Sequence, residues 1–227
     1  MKINIDRALF RFQMRMMLSD RTALVQILIV HYLTNGLVFG KKGVAAAAAA
    51  DAALWTNYGL FMCSGVLVLA GAVCVGYTLV KPRSFRMVEL MLATPLSLRR
   101  LAATSFASCF LFSLVNLAVH FGVIWFRFGA VPCGAGFYTA LAAALAFSAF
   151  LLSCAVVVSL TRKDADQLHA VFLLVGMILA VLGLFTRLRL DIPYWLPYSL
   201  VTGLSLGFVF LWANFHRLLT KEKAVLA

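Results

Sequence analysis

The sequence predicts an all-α, polytopic membrane protein, and three observations carry that prediction. Hydrophobic residues occupy 63% of the 227 positions and the mean hydropathy is +0.97, which leaves too little polar surface to cover a soluble domain of this size. Six apolar runs approach the roughly 20 residues that a helix needs to cross hydrocarbon, and they use well over half the chain. The 20 basic residues divide unequally between alternate connecting segments, as the positive-inside bias requires. Long continuous apolar runs without alternation exclude a β-barrel, whose strands change face at every residue. The expected architecture is six transmembrane helices in a single domain over residues 1–227, with an amphipathic interfacial helix over 1–20 and a charged cytoplasmic segment over 81–100.

The first element follows from its period. Ile5, Leu9, Phe12 and Met16 fall on one face of a helix, and Arg7, Arg11 and Arg15 fall on the opposite one. Such a helix lies in the membrane interface, its arginines directed at anionic headgroups or at a cytosolic partner.

The first span, about 22–39, carries Gln26, His31 and Asn35. Polar side chains at that depth either hydrogen-bond between helices or line a substrate path. An outer segment with the alanine run Ala45 to Ala50 leads to the second span, about 57–80, whose Gly59, Gly65, Gly71 and Gly76 permit close helix approach. The third span covers about 101–126 and places Asn116 and His120 four residues apart on one face, as a packing pair or a pathway contact. The fourth, about 137–160, is rich in alanine and reads as a tightly packed helix. A short turn with Arg162, Lys163, Asp164 and Asp166 precedes the fifth span, about 168–186. Pro193, Tyr194, Trp195 and Pro197 then predict a broken, interfacial segment ahead of the sixth span, about 198–215. Placing the amino terminus in the cytoplasm leaves only Lys41, Lys42, Arg127, Arg187 and Arg189 outside, against 15 basic residues inside. The net charge of +12 is therefore topology rather than a nucleic-acid surface.

Residues 81–100 are the most charged interval between two long apolar runs, with Lys81, Arg83, Arg86, Arg99 and Arg100 against the single acid Glu89. Ser84 can cap a short helix beginning near Phe85, and Pro95 ends or bends it because it lacks an N–H and pushes Thr94 away from helical geometry. On that helix Val88, Met91 and Leu92 share a face, and Arg86 and Glu89 lie three residues apart beside it.

The string Glu89-Leu90-Met91-Leu92-Ala93-Thr94-Pro95-Leu96-Ser97 resembles the E-x-L-L-x-T-P-L-S pattern after the second span of the type-two family of ATP-binding-cassette (ABC) export permeases. The order of elements resembles that family along nearly the whole chain, including the proline and aromatic segment before the last span. The resemblance implies that Phe85, Arg86, Val88, Glu89, Met91, Leu92, Thr94 and Pro95 form a coupling helix docking in a groove of a separate ATPase. It also implies that the helix with Arg7, Arg11 and Arg15 borders that subunit. Two ATPase copies would hold the ATP and magnesium, and the permease would work as a homodimer or with a paralogue, in the inner (plasma) membrane with both termini cytoplasmic. The bland alternative for the coupling segment is a loop helix lying on lipid headgroups.

Absent motifs narrow the chemistry. No G-x-x-x-x-G-K-[ST] loop is present, so any ATP hydrolysis belongs to another polypeptide. No H-E-x-x-H, no G-x-S-x-G and no paired intramembrane carboxylates occur, and His31, His120, His169 and His216 share no metal-binding spacing. The expected chain is therefore not an enzyme and holds no cofactor or metal. The five cysteines, Cys63, Cys74, Cys109, Cys133 and Cys154, read as packing residues. The first twenty residues lack the apolar core of a cleavable signal. Without an acid inside a span, ion-coupled transport lacks its usual site, which points to an external energy source. The alternatives are a heme-exporter-like subunit of cytochrome maturation, and a membrane enzyme or assembly protein without a transport role. Short outer loops favour a membrane-soluble or lipid-linked cargo.

Overall fold

The structure, a computed structural model, describes residues 5–19, 25, 52–84, 97–128, 134–161, 165–184, 193 and 195–218. Helix α1 is Arg7–Ser19. A continuous helix, α2, runs over residues 52–84 and contains two π-helical segments, Tyr58–Cys63 and Gly76–Val80. It is followed by α3 (Leu98–Phe128), α4 (Ala135–Thr161), α5 (Ala165–Leu184), α6 (Trp195–Ala213) and the short α7 (Phe215–Leu218). No strand occurs among the described residues.

Among the described residues four helices are long and apolar enough to cross a membrane: Trp55–Val80, Leu98–Phe126, Ala135–Thr161 and Trp195–Ala213. They match the expected second, third, fourth and sixth spans to within a few residues and fit a membrane-embedded protein. The apolar part of α5 is the shorter stretch His169–Leu182, about 21 Å of helix against a hydrocarbon core of about 30 Å. The first expected span, apart from Val25, lies outside the described residues.

Two apolar clusters stacked along the bundle fix the direction of each helix. One joins Leu9 and Met17 of α1 to Leu79 of α2, Leu101 of α3, Leu160 of α4, Trp212 of α6 and Phe215 of α7. The other joins Trp55 and Met62 of α2 to Ile124 of α3 and Phe137 of α4. Hence α2, α4 and α6 run toward the α1 end of the bundle and α3 runs away from it. The contacts of α5 make it run away as well: its start at His169 lies against Gly76, and its later Ala180 lies against Gly65. Helices α1 and α7 therefore meet the same end.

The centre of the bundle is α2, with 78% of its apolar window buried, whereas α6 has 11%. Two glycines make that central position possible. A Cβ on Gly65 would stand 2.6 Å from the Ala180 nitrogen, and one on Gly176 would stand 2.8 Å from Leu69 Cγ. Helices α2 and α5 thus approach to backbone contact, as small residues allow in apolar bundles. Close approach at Gly65, which the sequence merely permitted, is required here.

Two local expectations need correction. Ser84 belongs to the helical segment Lys81–Ser84, so the residue expected to cap a new helix is part of α2. The preceding π segment, in which Lys81 N–H bonds to Gly76 O, accommodates Pro82, which has no N–H and crowds the carbonyl four residues back. Pro197 likewise does not break the chain. It is buried in the first turn of α6, where an N–H would be unpaired in any case, and Leu196 N–H bonds to Pro193 O. Trp195 and Tyr198 beside it are exposed, as an interfacial position requires.

Candidate functional site

The α1 end of the bundle carries most of the charged residues that the structure describes. Ser97 precedes α3, and its hydroxyl accepts a hydrogen bond from Arg100 N–H at 3.3 Å while its carbonyl accepts from Leu101 N–H at 3.0 Å. The last residue of the T-P-L-S string is thus the N-cap of α3. Arg99 and Arg100 are exposed on the first turn. Lys81 is exposed at the end of α2, with its ammonium 5.1 Å from the centre of the Tyr77 ring.

Helix α1 is fastened to α3 at two levels. Asp6 caps it, its Oδ1 accepting from the N–H groups of Ala8 and Leu9, each at 3.0 Å, while Asp6 N–H donates to Thr104 Oγ1 at 3.0 Å. Two turns further on, Gln13 is 1% exposed. Its Nε2 donates to Ser105 Oγ at 2.7 Å, and Ser108 Oγ stands 2.8 Å from Gln13 Oε1 and 3.0 Å from the Ser105 carbonyl. Both ends of the buried amide are satisfied by one stretch of α3, as burial of a polar group demands.

That bond set turns α1 away from its expected orientation. The buried face is Leu9, Gln13 and Met17, rotated by roughly a fifth of a turn from the expected Ile5, Leu9, Phe12 and Met16 face. Ile5 and Phe12 are exposed at 43% and 39%, and only Leu9 of that set is buried. Arg7, Arg11 and Arg15 are exposed on the side opposite Gln13, as expected.

Of the other predicted site residues, Phe85, Arg86, Val88, Glu89, Met91, Leu92, Thr94 and Pro95 lie outside the described residues, as do Gln26, His31 and Asn35. Asn116 and His120 are described, and both are buried in α3 near the far end. Asn116 Nδ2 donates to Phe112 O at 2.8 Å. His120 Nε2 is hydrogen-bonded to the Tyr58 hydroxyl of α2, and the two rings are stacked with centroids 6.0 Å apart. Trp55 packs edge-on against both Tyr58 and Phe137, and Phe121 packs beside His120. In this conformation Asn116 and His120 are both buried within the chain. Cys63, Cys74 and Cys109 are buried free thiols, and Cys154 is half-buried, consistent with packing roles.

Gln13, Thr104, Ser105, Ser108 and Tyr58 were not singled out from the sequence. For Gln13 a signal was present: it is a lone amide between Leu9 and Met17 at helical spacing. Its partners, two serines three residues apart in an apolar span, are too common to indicate anything alone.

Among the described residues no group of His, Cys, Asp or Glu is arranged to hold a metal ion. No family model, curated protein or solved structure matches the chain.

Proposed function

We propose that this chain is the membrane subunit of an ABC exporter. Two copies, or one copy with a paralogue, form the substrate path across six spans per chain, and a separate ATPase in two copies supplies the energy. The observation that carries the reading is the Glu89–Ser97 string and its continuity with α3. Ser97, the final residue of the string, caps a 31-residue helix, and α1 is hydrogen-bonded to the same helix within its first three turns. A segment that receives a push from a partner must be joined stiffly to a span, since a loose joint would absorb the motion. An N-capped helix reinforced by a second, docked helix is such a joint.

Purification of the tagged full-length chain in mild detergent tests the proposal, with co-recovery of an ABC ATPase as the expected result. Glu89→Ala and Glu89→Lys should weaken that association by a factor of roughly ten or more, the equivalent of a lost charge-assisted contact of about 1.5–3 kcal/mol, at unchanged membrane insertion. Recovery of the chain without any ATPase counts against the permease reading, and full coupling in Glu89 variants counts against this coupling segment.

A further inference from the structure

We propose that the exposed side of α1 binds anionic phospholipid headgroups, with Arg7, Arg11 and Arg15 as the phosphate-contacting row and Phe12 as an apolar contact with the acyl layer. Three observations lead there, and none depends on the permease reading.

The first is electrostatic. Arg7, Arg11 and Arg15 follow one another at four-residue intervals, a row about 12 Å long on one side of the helix, and all three are exposed. Residues 7–19 contain no acid, so no carboxylate within the helix stands at the three- or four-residue spacing that would neutralise them. Like charges at this spacing repel and oppose helix formation. An external anionic surface removes that repulsion.

The second is the orientation imposed by Gln13. With Leu9, Gln13 and Met17 committed to the bundle, Phe12 is left on a flank between the packed side and the arginine side, 39% exposed, and Ile5 just before the helix is 43% exposed. Apolar side chains on one flank and arginines beyond them match the boundary between acyl chains and headgroups. The hydrogen bonds to Ser105 and Ser108 hold the helix so that both faces are presented together.

The third is continuity. Lys81, Arg99, Arg100 and Arg217 are also exposed, and all lie at the α1 end of the bundle. The row on α1 is the longest stretch of a wider basic collar at one end of an apolar bundle, where a membrane surface would meet it. Charge complementarity therefore selects an acidic headgroup over a zwitterionic one.

The test uses the purified full-length chain in neutral detergent, titrated with phosphatidylglycerol or phosphatidylcholine and read by native mass spectrometry. The wild type should bind phosphatidylglycerol more tightly, with a preference that falls as salt is raised. Each arginine changed to glutamine should lower that preference about fivefold, and the R7Q/R11Q/R15Q variant about a hundredfold. The corresponding lysine variants should keep most of it, because charge rather than fork geometry carries the contact. The side chains are exposed, so thermal midpoints in phosphatidylcholine should not change. R11Q alone supplies the fivefold reading if the triple variant does not fold. Equal binding of the two lipids by the wild type overturns the proposal. So does a triple variant that keeps its lipid preference, including one that instead loses a co-purifying protein, which would assign the face to that protein. No ATPase takes part, so the outcome is independent of the exporter reading.

Discussion

Replacing Gln13 with alanine should undock α1 from the bundle without unfolding the spans. Two side-chain hydrogen bonds, at 2.7 and 2.8 Å, join the Gln13 amide to Ser105 and Ser108. A buried bond of this kind contributes about 0.5–1.5 kcal/mol net, so their joint loss costs about 2 kcal/mol and raises the undocked population roughly thirtyfold. Arg7, Arg11 and Arg15 already reach solvent, but a protease needs the helix opened before it can cleave there. Limited trypsin digestion therefore reads the undocking equilibrium, provided cleavage is slow relative to reclosing. Cleavage within α1 should accelerate by about the same factor in Gln13→Ala. The variant Q13L/S105A/S108A should return close to wild type, since removing both sides of a hydrogen bond costs far less than orphaning one. Unchanged cleavage in Gln13→Ala would refute the reasoning, as would strict additivity between Gln13→Ala and the serine changes, because groups in contact show a coupling energy.

Further expectations concern the caps, the core and the topology. Asp6→Ala should destabilise the start of α1 by about 1 kcal/mol and Ser97→Ala the start of α3 by a similar amount, both visible as faster local amide exchange in the first turn. Gly65→Ala places a Cβ 2.6 Å from the Ala180 backbone and should cost about 1–3 kcal/mol through overpacking, lowering the thermal midpoint in detergent. Gly122→Ala, where no described neighbour stands within 4 Å, should leave the midpoint unchanged or raise it. Tyr58→Phe should cost about 1 kcal/mol by removing the bond to His120, and a double-mutant cycle with His120→Phe should show that the two changes are coupled. Single cysteines at Ala48 and Asp191 should react with an impermeant reagent from outside, and those at Leu90 and Val225 only after permeabilisation. Labelling of position 90 from outside would reverse the topology.

The sequence by itself determined the helical class and the positions of four spans. Both are set by solvent: apolar runs of about 20 residues have to satisfy their backbone internally, and the helix is the local way to do so. It also determined the exposed arginine row of α1, since charge at helical spacing decides which side is kept out of an apolar bundle. The rotation of α1 was decided only in the tertiary structure. Periodicity ranks Phe12 above Gln13 as a buried residue, and the order is reversed because Ser105 and Ser108, more than ninety residues away, satisfy the glutamine amide. The close contact at Gly65 is equally non-local, because a glycine in an apolar run carries no mark of which backbone will approach it. His120 was visible as a polar residue in a span, but its hydrogen-bond partner Tyr58, 62 positions earlier in the chain, was not. Burial of a polar group is decided by its partner, and in a helical bundle the partner comes from another helix.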